Sequence, residues 1–185
     1  YDSFPKTWEE LFEAVPKFEE MGITTIAFGN KDKWNYNSSW ISTIADRFTG
    51  PAWTESIIAK DGQANFTDTE FVGSLELTQR IGASGALNPD YASVNNQQAT
   101  MQFLQGKAAT LIDGYWAVEY MNANMEDGFA DKVGIVPLPG VDGGKGDQGS
   151  ITAGCGWFLA GNGSLEGEKK AAAADFMLYQ TGPAL

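Results

Sequence analysis

The sequence predicts an α/β domain, a central sheet flanked by helices. Three observations point to the α/β class. Short β-branched or apolar runs alternate with longer amphipathic segments, the pattern of a sheet covered on both faces. Capping residues and glycines mark the ends of those segments. The chain has 185 residues with 43% hydrophobic and 19% charged content, enough for one domain with a real core, whereas two would be cramped.

Thr7 to Met21 reads as a helix, with Thr7 and Glu10 at capping-box spacing and Leu11, Phe12, Val15 and Phe18 on one face. Pro16 should kink it or reset its start, and Gly22 stops it. Ile23 to Phe28 is a buried strand. The stretch "GNKDKWNYNSS" is loop-like, Trp40 to Phe48 is a helix ending at Gly50, and 51–66 is undecided. Thr67 to Glu70 forms a second capping box, opening a helix through Ile81. Asn88-Pro89-Asp90 is a turn. Asn95 to Gln105 is a helix with Met101, Phe103 and Leu104 inward. Ala108 to Ile112 is a strand, Tyr115 to Asn124 a helix, and Val133 to Val136 another strand. "VDGGKGDQGS" is a flexible loop. Ile151 to Ala160 is strand-like, and Ser164 caps a last helix from Leu165 to Gln180 with strong helix propensity.

Composition excludes several kinds of chemistry. A net charge of −12 repels phosphate backbones and anionic membranes, so nucleic acid is not an expected partner. With no histidine, histidine-dependent nucleophilic triads and histidine-ligated zinc are absent. Cys155 is the sole cysteine, and between two glycines it reads as a small buried residue. No catalytic residue, metal ligand or cofactor is assigned. "VDGGKGDQG" lacks the Ser or Thr that a phosphate loop places after its lysine. Asp142 and Asp147 do not fit the EF-hand pattern. No apolar run nears the ~20 residues of a membrane helix. The start "YDSFP" and the end "TGPAL" read as those of a piece of a longer or processed chain.

Ligands of open α/β sheets sit beyond the carboxyl ends of the strands. Three loops follow strand ends: Gly29 to Trp34, Asp113 to Trp116, and the segment around Gly154 and Cys155. The first two share a carboxylate or amide, a glycine and a tryptophan. A pyranose asks for this mixture. Its C–H face stacks on an aromatic ring, its hydroxyls pair with carboxylates and amides, and glycine lets the backbone approach. Either loop alone also fits ordinary core packing. The candidate ligand-binding residues in these two loops are Trp34 and Trp116 for stacking and Asp32 and Asp113 as hydroxyl acceptors.

The stretches "FPKTWEELFEAVPKFEEMGITTIAFGNKDKW", "FLQGKAATLIDGYW", "VGIVPLPG" and "GWFLAGNGSLEGEKKAAAADFMLYQTG", in this order, resemble the family 1 extracellular solute-binding proteins, the sugar-capturing subunits of bacterial ABC importers. The resemblance implies the periplasmic-binding-protein-like fold of type II, in which two α/β lobes close about a cleft. It implies that residues 1–185 are the C-terminal lobe, without the N-terminal lobe and the last helices. It further implies export as a cell-surface lipoprotein or a periplasmic protein, a monomer, with a sugar or oligosaccharide ligand and an ABC permease as partners. Trp116 then stacks on sugar, Asp32 and Trp34 contribute, and Gly154 and Cys155 line the cleft, although many relatives carry glycine at the position of Cys155. Two other readings stay open: a glycoside hydrolase built on a carboxylate pair, and a carbohydrate-binding or adhesion module without a role in transport.

Overall fold

The computed structural model describes residues 3–151 and 158–182, in two compact bodies, Tyr1–Thr152 and Ala153–Leu185. In the first, helix α1 (Trp8–Glu20) begins where expected. The Thr7 side chain accepts from the Glu10 N–H at 3.2 Å. Glu10, however, accepts from the Lys6 N–H at 2.7 Å, one residue early, so the reciprocal half of the box is shifted. Pro16 lies inside α1 without resetting its start.

Strands β1 (Thr24–Ala27) and β2 (Ala108–Leu111) pair in parallel, with Thr24 opposite Ala108 and Ala27 opposite Leu111. On the other edge of β1, the Ile26 N–H donates to the Ala86 carbonyl and the Asn88 N–H to the Ile26 carbonyl, at 2.8 and 3.3 Å. Alternation along β1 then decides which helix covers which face. Ile26 and Phe28 pack with Trp8, Leu11 and Val15 of α1, Ile44 of α2 (Ile41–Thr49), and Leu77 and Ile81 of α4 (Thr69–Ala83). Ala27 points the other way, onto Ala99 and Phe103 of α5 (Asn96–Leu104). This is the sheet with helices on both faces that the sequence predicts.

Several elements differ from expectation. The loop-like stretch before Trp40 is wound into a π-helical segment, Asn35–Trp40. It brings Trp40 against Phe28 with ring centroids 4.3 Å apart. The undecided stretch contains helix α3 (Pro51–Ala59), with proline at the first position, where its missing N–H costs nothing. The box at Thr67–Glu70 does not form. Thr67 bonds Asn65, Asp68 accepts from the Trp53 indole N–H at 2.8 Å and the Asn65 N–H at 2.9 Å, and Glu70 pairs with Lys145. Asn95 does cap α5 as half of a capping box with Gln98. On α5, Leu104 is buried as expected, while Met101 and Phe103 are only half-buried. Val133 to Val136 is not a strand; Ile135 is 92% exposed. A lone strand-like segment has no stability without a pairing neighbour.

The glycine-rich loop is docked rather than free. Lys145 and Gly146 donate backbone N–H bonds to the Phe48 and Arg47 carbonyls, both at 3.1 Å. A Cβ on Gly146 would overlap the Asp46 carbonyl oxygen. Arg47, buried, donates to the carbonyls of Leu138, Pro139 and Ser150. Helix α6 (Ala117–Asn124) follows the second candidate loop and starts two residues later than expected. In the second body, helix α7 spans Gly167–Thr181 with Glu166 at the cap position. Ser164 instead donates to the Asn162 side chain. Most of the predicted strand Ile151 to Ala160 lies outside the described residues, and 158–160 is not a strand. No helix among the described residues is long and apolar enough to cross a membrane.

Candidate functional site

Because β1 and β2 are parallel and in register, the chain leaves both at the same edge of the sheet. Helix α5 runs back to the start of β2, so its N-terminus lies at that edge too. Strand pairing ends at Phe28, whose N–H is taken by the Asn88 side chain at 2.7 Å. The loop that follows is moored to the segment before α5: Asn30 N–H donates to the Tyr91 carbonyl and Lys31 N–H to that of Val94. Gly29 lies flush against the Asn95 backbone, with no room for a Cβ. Lys33 adopts a left-handed conformation, φ 62°, between the two candidate residues Asp32 and Trp34. Such strain in a non-glycine residue persists only where the surroundings fix it.

Three sequence-predicted residues come together here. Asp32, Trp34 and Trp116 line one open cavity of about 380 Å³. The indoles of Trp34 and Trp116 meet edge to face, with centroids 5.4 Å apart and planes at 69°. They are 38% and 54% exposed, so neither is core. Trp8 and Trp40, in contrast, are fully buried.

Asp113 stands apart from the cavity lining. Its carboxylate accepts from Asn96 Nδ2 at 2.8 Å, from the Gly114 N–H at 2.7 Å and from Thr100 Oγ1 at 3.4 Å. Burial pushes its carboxyl above the usual carboxylate range, and the donors of Gly114, Asn96, Trp116 and Thr100 pull it back. The expectation was of a carboxylate offered to a ligand; the geometry is of one occupied by its own chain. Gly154 and Cys155 lie outside the described residues.

The cavity also holds residues the sequence reading did not single out: Asn95, Asn96, Gln97, Thr100 and Tyr120. The run Asn95 to Gln98 at a helix start is a recognisable amide cluster. Thr100 follows Asn96 by four residues, and Tyr120 follows Trp116 by four, so each shares a helix face with a site residue. Together the lining offers two aromatic rings, one carboxylate, amides that donate and accept, and hydroxyls. That set suits a neutral, polyhydroxylated molecule with an apolar face.

A profile of the bacterial extracellular solute-binding protein family matches residues 1–184. An uncharacterized ABC transporter extracellular-binding protein of Pyrococcus horikoshii is 27% identical over 136 residues, which is 72% of this chain and 29% of that protein. A structure from work on xylan utilization by the thermophilic bacterium Caldanaerobius polysaccharolyticus is similar at 29% identity and TM-score 0.70, over 79% of this chain and 36% of that one. A chitin oligosaccharide binding protein is similar at 26% identity and TM-score 0.66, over 76% and 35%. The chain spans about a third of the length of these relatives.

Proposed function

The chain belongs to the bacterial extracellular solute-binding protein family, and on that premise we propose that it is the C-terminal lobe of a two-lobed protein that captures an extracellular sugar or oligosaccharide and delivers it to an ABC permease. The observation that carries this reading is the Trp34–Trp116 pair, part-exposed and 5.4 Å apart, on one cavity with Asp32 and the amides of α5. The rings stack on the C–H faces of sugar rings, and Asp32 and Asn95 take the hydroxyls. A ligand gripped by both lobes favours the closed state, and the permease recognises that state. The protein works as a monomer outside the cytoplasmic membrane, lipid-anchored or periplasmic.

No chemical step is assigned. Asp32 is the one acid among the described residues that line the cavity, whereas a glycosidase needs two carboxylates ~5–10 Å apart across the bond it cleaves. The test is calorimetric titration of the full-length protein against neutral, amino and acidic oligosaccharides, comparing the wild type with Trp116→Ala. We expect Trp116→Ala to weaken binding of a sugar the wild type takes by about tenfold or more. Unchanged affinity would remove Trp116 from the site. Turnover of a chromogenic glycoside by the wild type would replace the binding reading with an enzymatic one.

A further inference from the structure

Gly114 lies against the Trp116 ring, and neither it nor Asp113 is among the residues that line the cavity. Two constraints meet there. The first is polar: Asn96 donates to Asp113 at 2.8 Å and accepts from Asn35 Nδ2, also at 2.8 Å. Asn35 is buried and directly follows Trp34. A single run of side-chain hydrogen bonds therefore joins the segment bearing one indole to the loop bearing the other. The second is steric: a Cβ at Gly114 would overlap the six-membered ring of Trp116. The Gly114 backbone is not in the left-handed region, so the main chain itself would accept alanine.

We infer that Asp113 and Gly114 are positioning residues that seat the Trp116 indole at its angle to Trp34, with Asn96 tying that seat to the Trp34 segment, and that neither touches the ligand. The seat makes the pair a preformed platform, so a ring arriving between the indoles meets surfaces whose ordering cost has already been met by the fold. Gly114 serves by what it lacks, and Asp113 by engaging donors that would otherwise release the loop.

The inference rests on the sugar-binding reading only for its consequence in affinity; the seat itself is measured without ligand. In the full-length protein, the circular dichroism difference between wild type and Trp34→Phe isolates the coupling of the two neighbouring indoles. Gly114→Ala is expected to abolish most of that difference while the melting temperature stays close to wild type, because only the ring has to move. Asn96→Ser, which leaves both indoles and Gly114 in place, is expected to reduce it and serves as the deciding variant if Gly114→Ala does not fold. Affinity for any sugar the wild type binds should fall about tenfold in Gly114→Ala. A coupling signal unchanged in either folded variant overturns the inference. Loss of coupling with sugar affinity unchanged in both Gly114→Ala and Trp116→Ala would instead remove Trp116 from the sugar site and leave the seat standing.

Discussion

At Arg47 a charged side chain is fully buried because the backbone around it needs donors. The carbonyls of Leu138, Pro139 and Ser150 converge on its guanidinium. Burial lowers its pKa, and Asp147 and Asp46 oppose that shift; arginine remains charged at neutral pH regardless. Removing it leaves several carbonyls without a partner. Arg47→Met should lower unfolding stability by about 3 kcal/mol, read as a shift in the urea midpoint. Arg47→Lys should recover only part of this, because an ammonium lacks the planar fork. A midpoint equal to wild type in Arg47→Met would show that the three carbonyls are satisfied without it. No local pattern announces the role of Arg47, since its partners lie some 90 or more residues further along. Trp34, Trp116 and Asp32 were legible for the opposite reason. Each sits within a few residues of a strand end, and position on a parallel sheet follows from local pattern. The internal engagement of Asp113 depends on Asn96 and Thr100, and no local pattern announces it.

The same division holds between elements. Helices α1 and α5 declare themselves by caps and periodicity, and helix α4 and strands β1 and β2 by their apolar pattern, although the box read at the start of α4 does not form. Helix α3 does not declare itself: Ser56 is its one buried residue, and its ring contacts run through Trp53, stacked on Phe71 at 5.1 Å and met edge-on by Phe66. The π-helical turn has the Asn and Ser content of a loop. Val133 to Val136 has strand composition without a strand beside it among the described residues. The junction of α3 and α4 also concentrates acids. Asp61 is held below the usual carboxylate range by the Ser56 hydroxyl and the Gln63 N–H, Asp68 by the Asn65 N–H and the Trp53 indole, and Glu70 by Lys145. Groups lowered in the folded state add stability that is complete above their unfolded pKa and lost as pH falls through the folded one. Asp113, raised by burial, has the opposite sign: its protonated form is favoured in the fold, so between its unfolded and folded values stability rises as pH falls. The melting temperature should therefore drop on acidification below the carboxylate range, with a smaller drop in Asp68→Asn than in wild type. Parallel curves for the two proteins would show that Asp68 does not contribute.

At the scale of the molecule, the chain covers about a third of the relatives it matches, and its cavity opens from one sheet edge. Under the two-lobed proposal, half of the ligand's contacts lie on the other lobe. The 185-residue chain alone should then bind an oligosaccharide at least about a hundredfold more weakly than the full protein does, in the same calorimeter. Equal affinities would place the whole site on this lobe and remove the need for closure.

The position of β1 has one more consequence. Thr24 to Phe28, rich in β-branched and apolar residues and uncharged, is suited to recruit copies of itself into intermolecular sheets. In the fold it is walled on one flank by β2 and at Ile26 on the other by the Ala86–Asn88 segment. Fraying at the rim where the strands end does not bare it. Clumping of this protein should therefore be gated by dissolution of the sheet itself, and local opening of a rim loop exposes no sticky edge.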